Sequence, residues 1–203
     1  MIYFCIKNGG FTLDNRKEKS KNTLKNALIT CMNLSSFRDI TVSQIVQIAN
    51  VTRGTFYNHY DSKEQLLFEL IDETLDEIKK EIRKPYEQFE HVRFNMFPKN
   101  DISLFYYLKE KRKLFQVLLK EAAYFDMHRF IADTIEEIYV EEYLFVLNNA
   151  DANDKWFNVY SANGIAAIIM RWIEMDYQET PEEIGSQAIE LMRTCSLGFN
   201  QRK

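Results

Sequence analysis

The sequence predicts an all-α protein with a basic N-terminal part and an acidic C-terminal part. Only six Gly and three Pro occur in 203 residues, which argues against a turn-rich β-sandwich or barrel and favours long helices. Residues 1–66 carry nine Lys or Arg against five Asp or Glu, whereas residues 67–203 carry 17 against 25. Although the net charge is −4, this asymmetry is the one expected when only the N-terminal part meets nucleic acid.

Several other classes of protein are not indicated. Cys5, Cys31 and Cys195 have neither disulfide nor zinc spacing, and the apolar start at residues 1–6 is too short for a signal peptide. The apolar run 164–170 is far shorter than the roughly 18 residues of a membrane span. We therefore expect a cytoplasmic protein with no membrane partner, no cofactor and no metal site.

An enzyme is not expected either. Catalysis would need a nucleophile with a base, a metal cluster or a phosphate-binding loop, and His59, His91 and His128 form no such spacing.

Residues 1–15 show no helical period and are predicted to be a flexible arm. Residues 16–66 are predicted to form a DNA-binding domain whose first helix covers 16–34, because apolar residues recur there at three- and four-residue steps. The opposite face of this helix carries lysines at positions 17, 19, 21 and 25. These lysines fit phosphate contacts and a solvated helix face equally well.

Two short helices around a tight turn are predicted next. Thr41 and Gln44 have the spacing of a capping box at the start of the second helix, and Asn50 suits a left-handed turn after it. Thr52 is placed to cap a third helix over 53–59. A second capping box at 62–65 begins a fourth helix that ends before Pro85. This arrangement is a helix-turn-helix.

Residues 67–203 are predicted to form a helical domain for effector binding and dimerisation. After an irregular connection over 86–100, we expect helices near 102–109, 112–121, 127–148, 155–175 and 181–197. The last start is the clearest, because Thr180 at the cap is followed by Pro181 and by Glu183 at the third position.

The segment 40–67 closely resembles the DNA-binding signature of the tetracycline-repressor (TetR) family. The likeness extends over about 50 residues. It rests on Val-Thr-Arg-Gly-Thr-Phe-Tyr at 51–57 and on Tyr-x-x-Lys-Glu-x-Leu-Leu at 60–67. Asn50 stands where the family usually has Gly, and Val46 where it often has Ala. The resemblance implies a homodimeric regulator, expected to be a repressor, that binds a double-stranded DNA operator and is controlled by a small-molecule effector.

The residues of this segment suggest how it would contact DNA. Thr52, Arg53 and Thr55 lie where a recognition helix reads base edges, and Tyr57, His59 and Lys63 can donate to phosphates. A glycine inside a helix costs about 1 kcal/mol relative to alanine, so Gly54 suggests close approach by DNA or by the second helix. The candidate DNA-binding residues are Thr41, Thr52, Arg53, Gly54, Thr55, Tyr57, Asn58, His59 and Lys63. The expected core residues are Ile45, Ile48, Val51, Phe56 and Tyr60.

The C-terminal part is rich in aromatic residues: 19 of the 28 lie between positions 86 and 177. Rings at helical spacing either fill a core or line an apolar ligand pocket. The resemblance implies an effector pocket, for which the candidates are Phe105, Tyr106, Phe115, Phe130, Tyr139, Tyr160 and Trp172.

The helix centred on 160–172 is apolar nearly all round and must be covered on more than one side. It is buried within one chain, or it pairs with its copy. With the helix after Pro181 it resembles the C-terminal pair through which TetR-like regulators dimerise. The implied interface residues are Tyr160, Gly164, Ala167, Ile168, Arg171, Ile184, Ala188 and Leu191. The segments 169–174 and 180–184 also resemble a subgroup from low-GC Gram-positive bacteria that includes a coactivator of dihydroxyacetone metabolism.

Two alternative functions stay open at this stage. One is a regulator or coactivator whose C-terminal domain binds a protein partner instead of a small ligand. The other is a nucleoid-binding protein with little sequence specificity, for which the ratio of specific to non-specific affinity would be near one.

Overall fold

The computed structural model describes residues 10–96, 102–121 and 124–202, with side chains from Lys17 onward. The chain divides into two compact units, residues 1–72 and residues 73–203. We call the first the head and the second the C-terminal domain. Most of the arm expected at 1–15, and residues 97–101 of the expected irregular connection, lie outside the described residues.

The head is helical, as predicted. Helix α1 covers Gly10–Leu34, α2 covers Val42–Ala49 and α3 covers Arg53–Tyr57. Helix α4 covers Lys63–Arg83, and its first part belongs to the head. A 3-10 turn at Phe37–Asp39 joins α1 to α2. Helix α1 starts six residues earlier than expected, and α3 ends two residues earlier, so that Asn58 and His59 follow the helix.

The head buries the apolar faces of its helices in a small core. Leu24 and Leu28 of α1 are completely buried, together with Ile45 and Phe56, and Tyr60 is nearly so. The prediction that Ile48 belongs to this core is wrong, because 44% of its surface is exposed. It lies on α2 next to the stripe formed by the buried residues Ile45, Val46 and Ala49, at an edge of that stripe that the core does not cover.

A charged cluster ties α4 to α1 within the head. The carboxylate of Glu69 lies 2.8 Å from Lys25 Nζ and 3.0 Å from Lys21 Nζ, and it accepts a 3.0 Å hydrogen bond from the Tyr60 hydroxyl. Burial by itself would raise the pKa of Glu69, but the hydrogen bonds from Lys25, Lys21 and Tyr60 outweigh it and lower the pKa to about 2. Lys25 is buried, so the cluster holds the head together.

The C-terminal domain contains the rest of α4 and five further helices in the part described. These are α5 (Ser103–Glu110), α6 (Arg112–Lys120), α7 (Met127–Glu142), α8 (Asp154–Glu174) and α9 (Pro181–Cys195). The capping box predicted at Thr180 is present, with Glu183 N–H donating to Thr180 Oγ1 at 3.2 Å. Within the described ranges, none of the helices combines the length and the hydropathy that a membrane span requires.

A three-stranded antiparallel sheet is the main departure from the predicted elements. Strands β1 (His91–Arg93), β2 (Tyr143–Leu147) and β3 (Ser196–Gln201) lie in the order β1-β3-β2. Helices predicted over 127–148 and 181–197 therefore stop at Glu142 and Cys195, where β2 and β3 begin. The fold class is still essentially all-α, because the strands are short and the helices form the bulk of the domain.

The sheet forms because the three strands pair and bury their apolar side chains together. Phe199 of β3 is paired on one side with Val92 and on the other with Phe145, and all three are buried. Gly198 has φ +149°, and a Cβ there would lie 2.0 Å from Val92 O. Only glycine permits this approach of β1 to β3.

Candidate nucleic-acid interface

Helix α2 and the turn after it have the geometry that the sequence predicts. Gln44 N–H donates to Thr41 Oγ1 at 3.3 Å, and Thr41 N–H donates to Gln44 Oε1 at 2.7 Å, which completes the capping box. Asn50 adopts the left-handed conformation with φ 51° and ψ 47°. These two devices set the length of α2 and turn the chain towards α3.

Helix α3 presents a polar surface. Thr52 caps it, because its Oγ1 accepts a 3.1 Å hydrogen bond from Thr55 N–H. Arg53 and Tyr57 are exposed, while Phe56 points into the core. The Arg53 guanidinium donates to Ser43 Oγ of α2, so the arginine is held across the two helices. Its position and charge suit contact with a base edge or a phosphate.

Gly54 is not required by packing within the head. A Cβ at this position would have only Thr52 Oγ1 near it, at an ordinary contact distance of 3.6 Å. Among the described residues, close approach by helix α2 therefore does not account for this glycine. Close approach by DNA stays a prediction.

Lys63 has a structural role. Its Nζ donates to the backbone oxygens of Phe37, Arg38 and Ile40 at 2.7, 3.0 and 2.6 Å, and it lies 4.6 Å from the centre of the Phe37 ring. An ammonium group has three N–H donors, and these three bonds occupy them. The geometry does not support the phosphate contact expected of Lys63.

The C-terminal domain contains a cavity of about 100 Å³ beside the sheet, partly open to the surface. Seven aromatic rings are among its lining residues, and Glu81 is the one charged residue in the described lining. Ser103 Oγ donates to Glu81 Oε2. The rings belong to Tyr86, Phe94, Phe105, Tyr139, Tyr143, Phe145 and Phe199.

Helix α8 carries an exposed face of small and apolar residues. Tyr160 is 69% exposed, and Leu191 on the neighbouring α9 is 55% exposed. A Cβ added at Gly164 would meet no described atom within 4 Å, whereas one at Gly185 would lie 2.5 Å from Ile102 Cγ2. Gly185 thus serves the packing of α9 on α5 within the chain. Gly164 has no such role, and it leaves a flat site where another helix could approach.

Comparison with known families accounts for both units. A family described as bacterial regulatory proteins, tetR family, matches residues 27–70, and one described as transcriptional regulator C-terminal region, TetR type, matches residues 101–194. The two matches together cover more than half of the chain. The chain belongs to the TetR family.

Individual relatives are distant. The HTH-type transcriptional regulator YxbF of Bacillus subtilis is 22% identical over 175 residues, which are 86% of this chain but only 45% of YxbF. Among solved structures, the dihydroxyacetone kinase operon activator DhaS has a TM-score of 0.62 at 21% identity, covering 86% of this chain and 94% of DhaS. A TetR regulator from Streptococcus agalactiae has a TM-score of 0.61 at 20% identity, covering 90% and 98%. These structures share the fold.

In this TetR-family head the predicted DNA-binding residues differ in exposure and in the contacts that they already make. Thr52, Arg53, Gly54, Tyr57 and Asn58 are exposed on and just after α3, and Thr55 and His59 are half-buried beside them. Thr41 is exposed at the start of α2, and its side chain is used in the capping box. Two of the four lysines on α1, at positions 21 and 25, are engaged by Glu69, which leaves those at 17 and 19 as its exposed lysines.

Only two of the residues predicted for an effector pocket, Phe105 and Tyr139, line the cavity. Phe115 and Trp172 are buried elsewhere in the core, and Trp172 Nε1 donates to Glu179 O at 3.1 Å. The other three also lie outside the cavity lining, since Phe130 stacks on Phe125, Tyr106 donates from the surface to Glu182, and Tyr160 is exposed. Helical spacing does not distinguish a ring in a packed core from one beside this cavity, so the assignment of these five to an effector site stays a prediction.

The predicted interface residues of this TetR-family chain mostly lie on one accessible surface. Gly164, Ala167 and Arg171 are exposed like Tyr160 and Leu191, and Ile168 and Ile184 are half-buried. Ala188 is the exception, because it is buried and lines the cavity. It cannot meet a second chain, so its assignment to an interface is wrong.

Sequence reasoning missed the cavity residues that come from the strands and from α4. Tyr143, Phe145 and Phe199 enter the lining only because the sheet forms, and Glu81 only because α4 passes beside it. The five residues 143–147 are all apolar or aromatic, so no alternation of polar and apolar residues marked them as a strand.

Proposed function

We propose that this TetR-family chain is a sequence-specific DNA-binding transcription regulator. It acts as a homodimer, represses transcription, and responds to a small molecule bound in its C-terminal domain. The observation that carries the proposal is the construction of the helix-turn-helix. The caps of α2 and α3 and the left-handed turn between them are formed within the head, while Arg53, Gly54 and Tyr57 are exposed on α3.

The chemistry of α3 supports DNA over another partner. An arginine at the start of a recognition helix can bind guanine O6 and N7 through two hydrogen bonds, and an adjacent glycine allows the backbone to approach the groove. Each such arginine contact discriminates between bases by about 1–3 kcal/mol. The exposed lysines at 17 and 19 add positive charge to the same unit.

The exposed face of α8 and α9 supports the homodimer. Two heads held by one dimer would read two half-sites about 34–36 Å apart, one helical turn of DNA. Sedimentation velocity should detect a dimer, and Leu191→Glu should shift it towards monomer. Leu197→Glu is the matched control, because Leu197 is 57% exposed against 55% for Leu191 but lies on β3. Equal effects of the two substitutions would contradict this interface.

The cavity beside the sheet supports a small-molecule effector. Apolar lining with a few polar groups is the usual composition of a ligand site, and this lining combines rings with Glu81 and Ser103. Effector binding would change the spacing of the two heads and hence their fit to the operator. An unchanged head spacing with and without a bound effector would overturn this mechanism.

DNA binding is tested by fluorescence anisotropy on the DNA upstream of the gene and on scrambled DNA, at two salt concentrations. Tight, salt-sensitive and selective binding is expected. Arg53→Ala should remove the selectivity. Arg38→Ala removes the same charge from an exposed position outside α3, and it should weaken binding to both DNAs equally.

Gly54→Ala separates DNA contact from folding. The added methyl group meets no close atom and favours the helix by up to about 1 kcal/mol, so the head should be as stable as before. DNA affinity should nevertheless fall.

Equal binding of the unmodified protein to both DNAs would instead indicate a nucleoid role.

A further inference from the structure

The lining of the C-terminal cavity has an unusual electrostatic composition. It combines seven aromatic rings with one carboxylate, that of Glu81, and the described lining contains no Lys, Arg or His. Ring faces carry negative electrostatic potential and attract cations. Both components of the lining therefore favour a positive charge inside the cavity and oppose a negative one.

The charge of Glu81 is not cancelled from the cavity side. Its side chain is 18% exposed, and its ion-pair partner Lys84, at 3.3 Å, is 63% exposed. A cation in water is strongly screened, so such a surface pair contributes little. Ser103 donates a hydrogen bond to the same carboxylate and, as a neutral group, brings no positive charge beside it.

The ring of Tyr143 lines the cavity, but its hydroxyl is shielded from the open space. The hydroxyl is buried and has no hydrogen-bond partner among the described residues. Burial raises the pKa of Tyr143, so the group stays uncharged. The Tyr143 side chain therefore adds no charge to the lining.

The size of the cavity limits the ligand. At about 100 Å³ it is smaller than a cavity of roughly 150 Å³ known to accept benzene. Glu81 and Ile82 are only half-buried, so part of a ligand can extend outward past them. The space therefore suits a compact group and not a long chain.

We propose that this cavity binds a small organic cation, a quaternary or primary ammonium compound. The ammonium group lies among the rings near Glu81. This inference rests on the proposed effector role of the domain and adds the chemical class of the effector.

The test compares choline with 3,3-dimethylbutan-1-ol, its uncharged isostere, by isothermal titration calorimetry on the full-length protein. Hexanoate serves as the anionic probe. Choline should bind at least about tenfold more tightly than the alcohol, the ratio expected for a desolvated cation among rings, and hexanoate should not bind. Equal affinity for choline and the alcohol, or no binding of choline, would overturn the proposal.

Two variants assign the polar contacts. Glu81→Gln should abolish the preference for choline over the alcohol. Glu77→Gln should keep it, because Glu77 forms a similar pair with Lys80 at 2.5 Å but does not line the cavity. Tyr143→Phe removes a hydroxyl that has no partner in the described structure and is shielded from the cavity. This variant should fold and keep the preference for choline, and a loss of that preference would contradict the assignment to Glu81.

DNA binding measured on the same preparations separates this proposal from the general function. Selective DNA binding with no discrimination between choline and the alcohol would remove the ligand class and leave the regulator intact. Discrimination without DNA binding would support the ligand class and contradict the DNA-binding role.

Discussion

The head and the C-terminal domain are stabilised by different chemistry. Buried polar groups of the head are engaged within it, as in the cluster of Glu69 with Lys25 and Tyr60. The C-terminal domain relies on stacked and edge-on rings, such as Tyr143 on Phe199 with centroids 4.0 Å apart. It also contains all three buried side-chain atoms that lack a hydrogen-bond partner in the described structure, on Tyr143, Asn158 and Tyr177.

This difference indicates where each unit can bind a partner or a ligand. The head has its internal polar groups satisfied, so its outward-facing polar residues on α3 are preorganised for an external partner. The C-terminal domain leaves a void lined by aromatic rings and the Glu81 carboxylate, which a ligand can fill. Substitutions that disturb one kind of chemistry at a time test this contrast.

The largest effect is expected from Gly198→Ala in the aromatic sheet. A Cβ would lie 2.0 Å from Val92 O at a backbone φ of +149°, so β1 and β3 must separate. The free energy of unfolding should fall by roughly 3 kcal/mol, measured by chemical denaturation. Gly164→Ala is the control, since its Cβ meets nothing within 4 Å; equal losses for both would contradict the account of β3.

The next largest effect concerns the charged cluster of the head. Glu69→Gln leaves Lys25 buried without its carboxylate partner and should cost about 2 kcal/mol. Because the pKa of Glu69 is lowered from 4.5 to about 2, its contribution is complete above about pH 4.5 and is lost as the pH falls towards 2.

Urea denaturation at several pH values checks this sign. The difference between the unmodified protein and Glu69→Gln should shrink as the pH drops below 4.5. Asp72→Asn, which removes an exposed carboxylate from the same helix, should show no comparable trend. A difference that stays constant down to pH 2 would contradict the cluster.

A smaller effect is expected at the turn of the helix-turn-helix. Asn50→Ala forces a Cβ residue without a compensating polar side chain into φ 51° and should cost about 1.5 kcal/mol. Asn50→Gly should be neutral or slightly stabilising. Thermal denaturation, monitored through the hydrogen exchange of head amides, would show both effects. A variant with Ala at this position that is more stable than the one with Gly would contradict the left-handed turn.

The smallest effects compare the same device in the two units. Thr41→Ala and Thr180→Ala each remove a complete capping box and should cost about 0.5–1 kcal/mol. Hydrogen exchange should localise the first loss to the head and the second to the C-terminal domain. Spread of either loss across both units would mean that they do not unfold separately.

The head was well predicted because its signals are local. The cap at Thr41, the left-handed Asn50 and the cap at Thr52 each depend on residues within a few positions of one another. Ile48 was misplaced because its exposure depends on which side of α2 the other helices cover. The hydrogen bonds of Lys63 to carbonyl oxygens more than twenty residues earlier could not be predicted from local patterns either.

The C-terminal domain was predicted as helices and only in part as a site. Residues 143–147 are apolar enough to continue a helix, and nothing near them shows that β3 lies about fifty residues later as a partner. The candidate pocket rings were chosen by composition, and only Phe105 and Tyr139 lie at the void. Strand pairing and voids depend on contacts between distant segments, which short-range patterns do not encode.

The sequence by itself determined the helix boundaries that have caps, the helix-turn-helix and the polar surface of α3. A cap or a turn depends only on hydrogen bonds and backbone conformations of residues that are close in sequence. The tertiary structure decided the sheet around Phe199, the burial of Ala188 and the meeting of Glu81 with Tyr143 at one cavity. Those features exist only when segments far apart in the chain pack together and exclude water from a shared interior.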